Sequence, residues 1–577
     1  MDRRKLLSIS ILFLILFLAA CSPAPQIPIQ YDPVALKFDG HHAFALESDF
    51  VTRFPNRASG MPNNKLAAAW LRDQFTHSGW TCSIDEWTVI NYSKTVPMNN
   101  VVCTLPGAST REIVVVAHLD QSPRTVQGAD NDGSGISILL HLGKVFAAEK
   151  QLPYTLVFVA TDGEEYGMLG TLRFIRIHLD TSNIIAGFSL DNLGNSFYIA
   201  MDMDGRGQFR GAGQLWLQLL ARDSARKAGN LWPVKIRGVM DQVTDQAVPL
   251  SFMDEGPMVT AGIPALGFAG IASPEFRSLY WNIYHSPEDT LDRQSPEVLQ
   301  QSGRVQEATI RQLMTMATFP DEPGPYLYFE SSSWVLRGGL LWGIFTLLVV
   351  PFFLGSLLAG GTSLKNKVGQ WRNVLPHFLG LWLPLGAAIA LLYFLVAVGL
   401  MEKFALYPAT TKDPETLNPH WLAVIIFLLG LAIFLWLGRW LTHRFAGGVT
   451  LPTPGAVRSF ALFVVGLASV YILVVNPFSL LFCLPLYFWL LIRVRKGPWH
   501  LLDILFLILG GAVVYYLLYV MGFQVLHMGF AVLWYLMLMF SIRMIGIPAV
   551  LAITAILAAG LTMVVNLPLT MAPPSKG

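Results

Sequence analysis

Two kinds of apolar pattern divide the chain. In its first half, short runs without alternation recur at Ile113–Ala117, Thr155–Ala160, Ile185–Leu190 and Pro264–Phe268. A run with no polar face predicts a strand buried on both sides, as in a parallel sheet. Between the first two runs, Ile136, Leu139, Leu140 and Val145 fall at helical spacing, so the order becomes strand, helix, strand, helix. Upstream, Leu66, Ala67, Trp70, Leu71 and Phe75 make Asn64–Ser78 an amphipathic helix of structural role. Thr81–Val89 and Asn100–Leu105 read as further strands, each with one cysteine. The predicted fold over 31–319 is α/β, a mostly parallel mixed sheet flanked by helices.

After Ser333 the apolar stretches reach membrane-spanning scale, some of them barely: 335–359, 374–400, 421–441, 457–476, 478–493, 501–521, 526–542 and 545–566. These predict an all-α polytopic transmembrane bundle over 334–577. They also explain a composition of 53% hydrophobic and 14% charged residues, too apolar for a wholly soluble chain. Asp503, near one end, is nearly the only acid within them, which favours an anchoring or substrate-presenting bundle over an ion-coupled carrier.

Met1–Ser22 joins a basic head (Arg3, Arg4, Lys5) to an apolar run, the form of an export signal. Leu18-Ala19-Ala20-Cys21 also resembles a bacterial lipobox, in which Cys21 is lipidated; an uncleaved anchor or an ordinary cleaved signal are the alternatives. Export puts the next segment outside the cytoplasm. The loops expected inside then hold Lys365, Lys367 and Arg372, then Arg439, Arg444 and Arg458, then Arg493, Arg495 and Lys496, then Arg543. Such basic loops are what an inward-facing side requires. Outside, Cys82 and Cys103 can form a disulfide, although two buried thiols fit as well. A formal net charge of +2 and no basic tract give no case for nucleic acid.

Chemistry collects where the apolar runs end. Ile113–Ala117 leads into His118 and Asp120, Thr155–Ala160 into Asp162, Glu164 and Glu165, and Ile185–Leu190 into Asp191; Pro264–Phe268 precedes a loop leading to His285. Asp130 lies in Gly128–Leu140 among Gly128, Gly133 and Gly135, with Ser134 placed to cap the helix that follows. Singly, each residue has a bland reading as a turn acid, a structural histidine or a solvated glutamate pair. Together they sit at the carboxyl ends of strands, which in an open α/β sheet line one crevice. Imidazole and carboxylate donors with a bridging carboxylate suit two divalent ions that acidify a shared water and polarise a carbonyl. A base must also carry the proton to the leaving group. Asp132 and Asp162 rank as loop-forming residues.

The segments HLD, GADNDGSG, DGEEYGMLG, SLDNLG and YHSPEDT, in this order, resemble the M28 zinc peptidases over about Tyr31–Phe319. The resemblance implies two Zn2+ ions, His118 and Asp191 holding one, Glu165 and His285 the other, with Asp130 bridging. It implies Glu164 as general base and Asp120 as the partner that orients His118. One departure concerns specificity: where many members carry Ser-Asp-His, this chain reads Met253-Asp254-Glu255-Gly256-Pro257, so Glu255 replaces an imidazole near the substrate pocket. The function expected is a membrane-anchored, extracytoplasmic metallopeptidase acting on peptides, an aminopeptidase, with membrane lipid around its bundle. A glutaminyl-cyclase-like acyltransferase with one zinc, a receptor-like binder, and a transporter with an accessory outer domain are the competing readings.

Overall fold

The computed structural model describes residues 21–91, 94–178, 180–208, 210–229, 234–321, 324–359, 364–401, 420–446, 452–493, 499–519, 522–523, 529–541 and 546–566. The segment Met1–Ala20 and the basic positions Arg495, Lys496 and Arg543 lie outside them. Two compact units meet in the chain at Gly338 and Gly339.

The first unit is built on a sheet of eight strands: β2 (Thr81–Asn91), β3 (Lys94–Leu105), β4 (Ser109–His118), β5 (Tyr154–Thr161), β6 (Ile184–Leu190), β7 (Tyr198–Asp204), β8 (Val234–Lys235) and β9 (Ala265–Ala272). Their order is β2-β3-β5-β4-β6-β9-β7-β8. The central four, β5, β4, β6 and β9, run parallel, while β3 and β7 join them antiparallel. All four predicted apolar runs are therefore neighbours in one sheet.

Alternate residues of β4 explain the absence of a polar face. Ile113, Val115 and Ala117 share a core with Phe50, Leu71, Ile136, Leu139 and Leu299, whereas Val114 and Val116 pack with Val157, Val159, Phe174 and Met258. Each such side chain contributes about 1.5–3 kcal/mol on burial, so polar substitution on either face is costly. The helices Gly40–Arg53, Gly135–Ala147 and Pro296–Met314 supply the first layer and Leu169–Ile177 and Glu255–Thr260 the second.

The structure decides one pairing that the sequence left open, and two further features differ from the sequence expectation. Cys82 and Cys103 face each other across the β2–β3 ladder and are disulfide-bonded. A second sheet lies outside 31–319: β1 (Cys21–Pro23) pairs antiparallel with β11 (Trp334–Arg337), which pairs with β10 (Tyr326–Phe329). Finally, Ser134 makes no cap bond to the helix Gly135–Ala147; Asp132 Oδ1 accepts from the Gly135 amide at 2.9 Å instead. Ser134 is drawn away by the Asp130 carbonyl, to which it donates at 2.7 Å, and by the Leu193 amide.

In the second unit, each of the eight apolar stretches contains helix, but among the described residues five helices are long and apolar enough to cross a membrane: Gly339–Leu358, Val368–Ala397, Trp421–Arg444, Pro454–Val475 and Ile547–Val564. Pro477–Leu491, Leu501–Gly510 and Gly529–Ser541 are shorter. Proline and glycine account for two of these: Pro477 opens and Pro485 lies within a 3-10 segment of 15 residues, and the 501–521 stretch breaks at Gly511. Asp503 is buried and accepts from the Arg493 amide at 3.0 Å, so its carboxylate serves the backbone just after the Pro477–Leu491 segment.

The disulfide closes a loop of 21 residues in the denatured chain, and reducing it is expected to cost about 3 kcal/mol. Thermal unfolding of the full chain with and without reductant measures this; an unchanged first transition would contradict a stabilising role.

Candidate metal centre

Three parallel strand ends and one helix end deliver four of the predicted donors to one place. β4 ends at His118, β5 leads into the turn holding Glu164 and Glu165, β6 into Asp191, and the helix Arg277–Ile283, which follows β9, into His285. The loops after β4 and β5 are tied by the Leu119 amide donating to the Thr161 carbonyl at 2.7 Å. His118 Nε2 lies 3.7 Å from Asp191 Oδ1 and 3.9 Å from Glu164 Oε2, and His285 Nε2 lies 3.1 Å from Glu165 Oε1. Ligand atoms of His118, Glu164 and Glu165 all fall within 4.8 Å of one another. All five side chains are buried. His285 and Asn192 adopt left-handed φ values of 54°, a conformation that non-glycine residues keep only where surroundings impose it.

Asp120 does more than orient one ring. Its Oδ1 lies 3.4 Å from His118 Nδ1 and accepts from the Glu164 amide, while Oδ2 accepts from the Glu165 amide at 3.4 Å and from Ser59 at 3.2 Å. One carboxylate thus fixes the histidine and the turn presenting both glutamates. Asp162 and Asp132 are loop-forming: Asp162 accepts from Ser59, Asn64 and the Asn99 amide, and Asp132 from the His118 and Gly135 amides.

Asp130 departs from the expectation of a bridging ligand. Its carboxylate accepts from the Tyr198 hydroxyl and from the Gly194 amide at 3.2 Å. The neighbouring side chain, Asn131, stands among the donors: Oδ1 is 2.7 Å from His118 Nε2, and Nδ2 donates to Glu165 Oε1 at 2.8 Å and lies 2.9 Å from His285 Nε2. Asp289 sets this orientation by accepting from the amides of both Asp130 and Asn131. Glu255 also lies elsewhere, fully buried and bonded to Ser251, its carboxylate beside Gly267.

Sequence reasoning missed Arg57, which is fully buried and holds the loop from beneath. Its guanidinium donates to the carbonyls of Leu119, Gln127 and Gly128 and to Gln121 Oε1. Gly128 takes a positive φ of 55° there, which a side chain resists. RFPNRASG carries no chemical signature that could have singled Arg57 out; Asn131 and Asp289 were legible within their motifs but had no assigned role.

Charge is crowded throughout. Asp120, Asp130, Asp132, Asp162, Glu164, Glu165, Asp191 and Asp289 are buried beside Arg57, His118 and His285. Burial pushes the Glu164 carboxyl well above the ordinary carboxylate range; His118 opposes this, and Asp191, Glu165 and Asp254 add to it. Burial likewise raises Asp130 to about 8, with Asp289 adding and Tyr198 and Gly194 opposing. For His118, burial disfavours the imidazolium, but Glu164, Asp120 and Asp191 outweigh it and carry the ring well above its usual value. A divalent cation offsets such an anionic excess, and imidazole with carboxylate is a zinc donor set.

Residues 100–310 match the sequence model of Peptidase family M28. This part of the chain is an M28 domain. The chain is 30% identical over 169 residues to the alkaline phosphatase isozyme conversion protein of Escherichia coli, covering 25% of this chain and 48% of that protein. It is 29% identical over 210 residues to aminopeptidase YwaD of Bacillus subtilis, covering 34% and 40%. The chain thus spans about half, or less, of the curated relatives it matches. Among solved structures, a glutaminyl cyclase of Porphyromonas gingivalis aligns over 48% of this chain and 99% of its own at 19% identity, with a TM-score of 0.42. All five predicted donors, together with Asn131, Asp120 and Glu164, fall inside the M28 domain, whereas Arg57 and Ser59 come from the segment before it.

Removing Arg57 withdraws the guanidinium from four acceptors beneath the loop, of which the Gly128 carbonyl keeps the Gly133 amide. Arg57→Ala is expected to destabilise the first unit by about 3–5 kcal/mol. Chemical denaturation measures this, and a loss below about 1 kcal/mol would mean that the loop holds itself.

Proposed function

We propose that the first unit is a zinc-dependent metallopeptidase acting on peptides, with aminopeptidase specificity. The observation that carries the reading is the pairing of donors, His118 with Asp191 and Glu165 with His285, at the ends of parallel strands in an anionic pocket. These pairs are two half-sites for zinc. Bound there, zinc supplies Lewis acidity that polarises the scissile carbonyl and lowers the pKa of the attacking water.

The chain's own groups divide the remaining work. Glu164, buried and 3.9 Å from His118 Nε2, takes the water's proton and returns it to the leaving amine. Asp120 keeps Glu164, Glu165 and His118 in fixed relation, so the base cannot drift from the donors. The likeness to aminopeptidase YwaD supports aminopeptidase over carboxypeptidase action.

A glutaminyl-cyclase-like acyltransferase with one zinc is the second reading. The neutral Asn131 amide among the donors is the observation that favours it.

The disulfide and the apolar helices support a membrane-anchored protein with this unit in an oxidising, extracytoplasmic compartment. A reporter active only in the cytoplasm, fused near Gly447, is expected to be active, and silence there would reverse the orientation. Hydrolysis of peptides with a free N-terminus should disappear on chelation and return with zinc. N-blocked peptides should be poor substrates, and cyclisation of N-terminal glutamine without peptide cleavage would establish the second reading. Glu164→Gln is expected to retain bound zinc and to lose about 10²-fold or more in kcat; near-normal turnover would remove Glu164 from the role of base.

A further inference from the structure

We propose that Asn131 makes the two half-sites unequal, so that the protein holds one divalent ion firmly and a second only weakly, with Asn131 as the residue that sets this stoichiometry. The inference rests on the metallopeptidase reading and deepens it.

The argument begins with position. The Asn131 carboxamide reaches toward both half-sites at once, its Oδ1 to His118 and its Nδ2 to Glu165 and His285. A group shared by two ions belongs in that place. It is held there by the backbone: Asp289 accepts from the Asn131 amide at 3.2 Å and from the Asp130 amide at 2.8 Å. The nearest carboxylate in sequence cannot substitute, because Asp130 is engaged by Tyr198 and Gly194, and Asp132 by the His118 and Gly135 amides.

Charge then decides the consequence. Two divalent ions bring four positive charges close together, and they are stable only when anionic ligands lie between and around them. Asp191 and Glu165 supply two negative charges to the half-sites, and Glu164 is reserved as base. A carboxylate at position 131 would supply a third, shared by both ions. The amide supplies none, and its nitrogen end is a donor that a cation repels. One ion can use the carbonyl end of the amide; a second meets the unshielded first ion.

The two groups occupy almost the same volume, so Asn131→Asp changes charge with little change of shape. That substitution is expected to strengthen the second ion's binding by about 100-fold, the scale on which ligand-shell changes alter metal affinity. Asn131→Ala removes the amide without adding charge and is expected to leave one firm ion.

The experiment uses the full chain in detergent, stripped with a chelator and titrated with Zn2+, with bound metal counted by mass spectrometry after desalting. About one ion per chain in the unsubstituted protein and in Asn131→Ala, and about two in Asn131→Asp, is the expected result. Two firmly held ions in the unsubstituted protein would overturn the inference while leaving the metallopeptidase reading intact, and this result does not depend on any variant folding. A second ion gained by Asn131→Ala, or none gained by an Asn131→Asp protein whose thermal unfolding is normal, would also overturn it. No bound ion in any form would remove both the inference and the reading beneath it.

Discussion

Burial of negative charge is the constraint around which the first unit is arranged. Carboxylates from four separate loops converge below the protein surface, where each isolated charge is expensive and each must find a donor, a counter-charge or a proton. The protein meets this in layers. Backbone amides serve Asp132, Asp162 and Asp289; hydroxyls serve Asp120, Asp130 and Asp162; Arg57 supplies the buried permanent cation beneath them. What these leave over is concentrated on Glu164, Glu165 and Asp191, the groups that face the histidines. Chemistry is thereby placed where the fold itself has not neutralised charge.

Much of this was legible in the sequence because the signals were local. Unbroken apolar runs such as Ile113–Ala117 imply strands buried on both faces, and all four fell side by side in the sheet. A residue immediately after such a run emerges at the carboxyl edge, as His118 and Asp191 do, while the roles expected of them and of Glu165 came from the family resemblance. Direction of side chains within a loop was not legible. Asp130 and Asn131 are adjacent in a segment where every residue looks polar, and only a contact from Asp289, 158 residues away from Asn131, determines which one faces the donors. Arg57 was invisible for a related reason: its partners are backbone carbonyls, which leave no mark on composition or spacing.

The apolar half shows the complementary limit. Hydropathy located the helical stretches, but proline and glycine break two of them, and among the described residues the eight stretches yield five helices of spanning length. Secondary structure also extended the first unit to Gly338, because β1 and β10 flank β11 in a small sheet whose residues carry no distinctive pattern.

The central claim is that these strand ends assemble a zinc site. Crystals of the full chain grown with zinc, measured on both sides of its absorption edge, test it most directly. The account predicts an anomalous peak at about 2.0–2.2 Å from a histidine nitrogen and a carboxylate oxygen of one pair, His118 with Asp191 or Glu165 with His285. Zinc bound only at other residues, with these side chains carrying no ion at saturating metal, would contradict it.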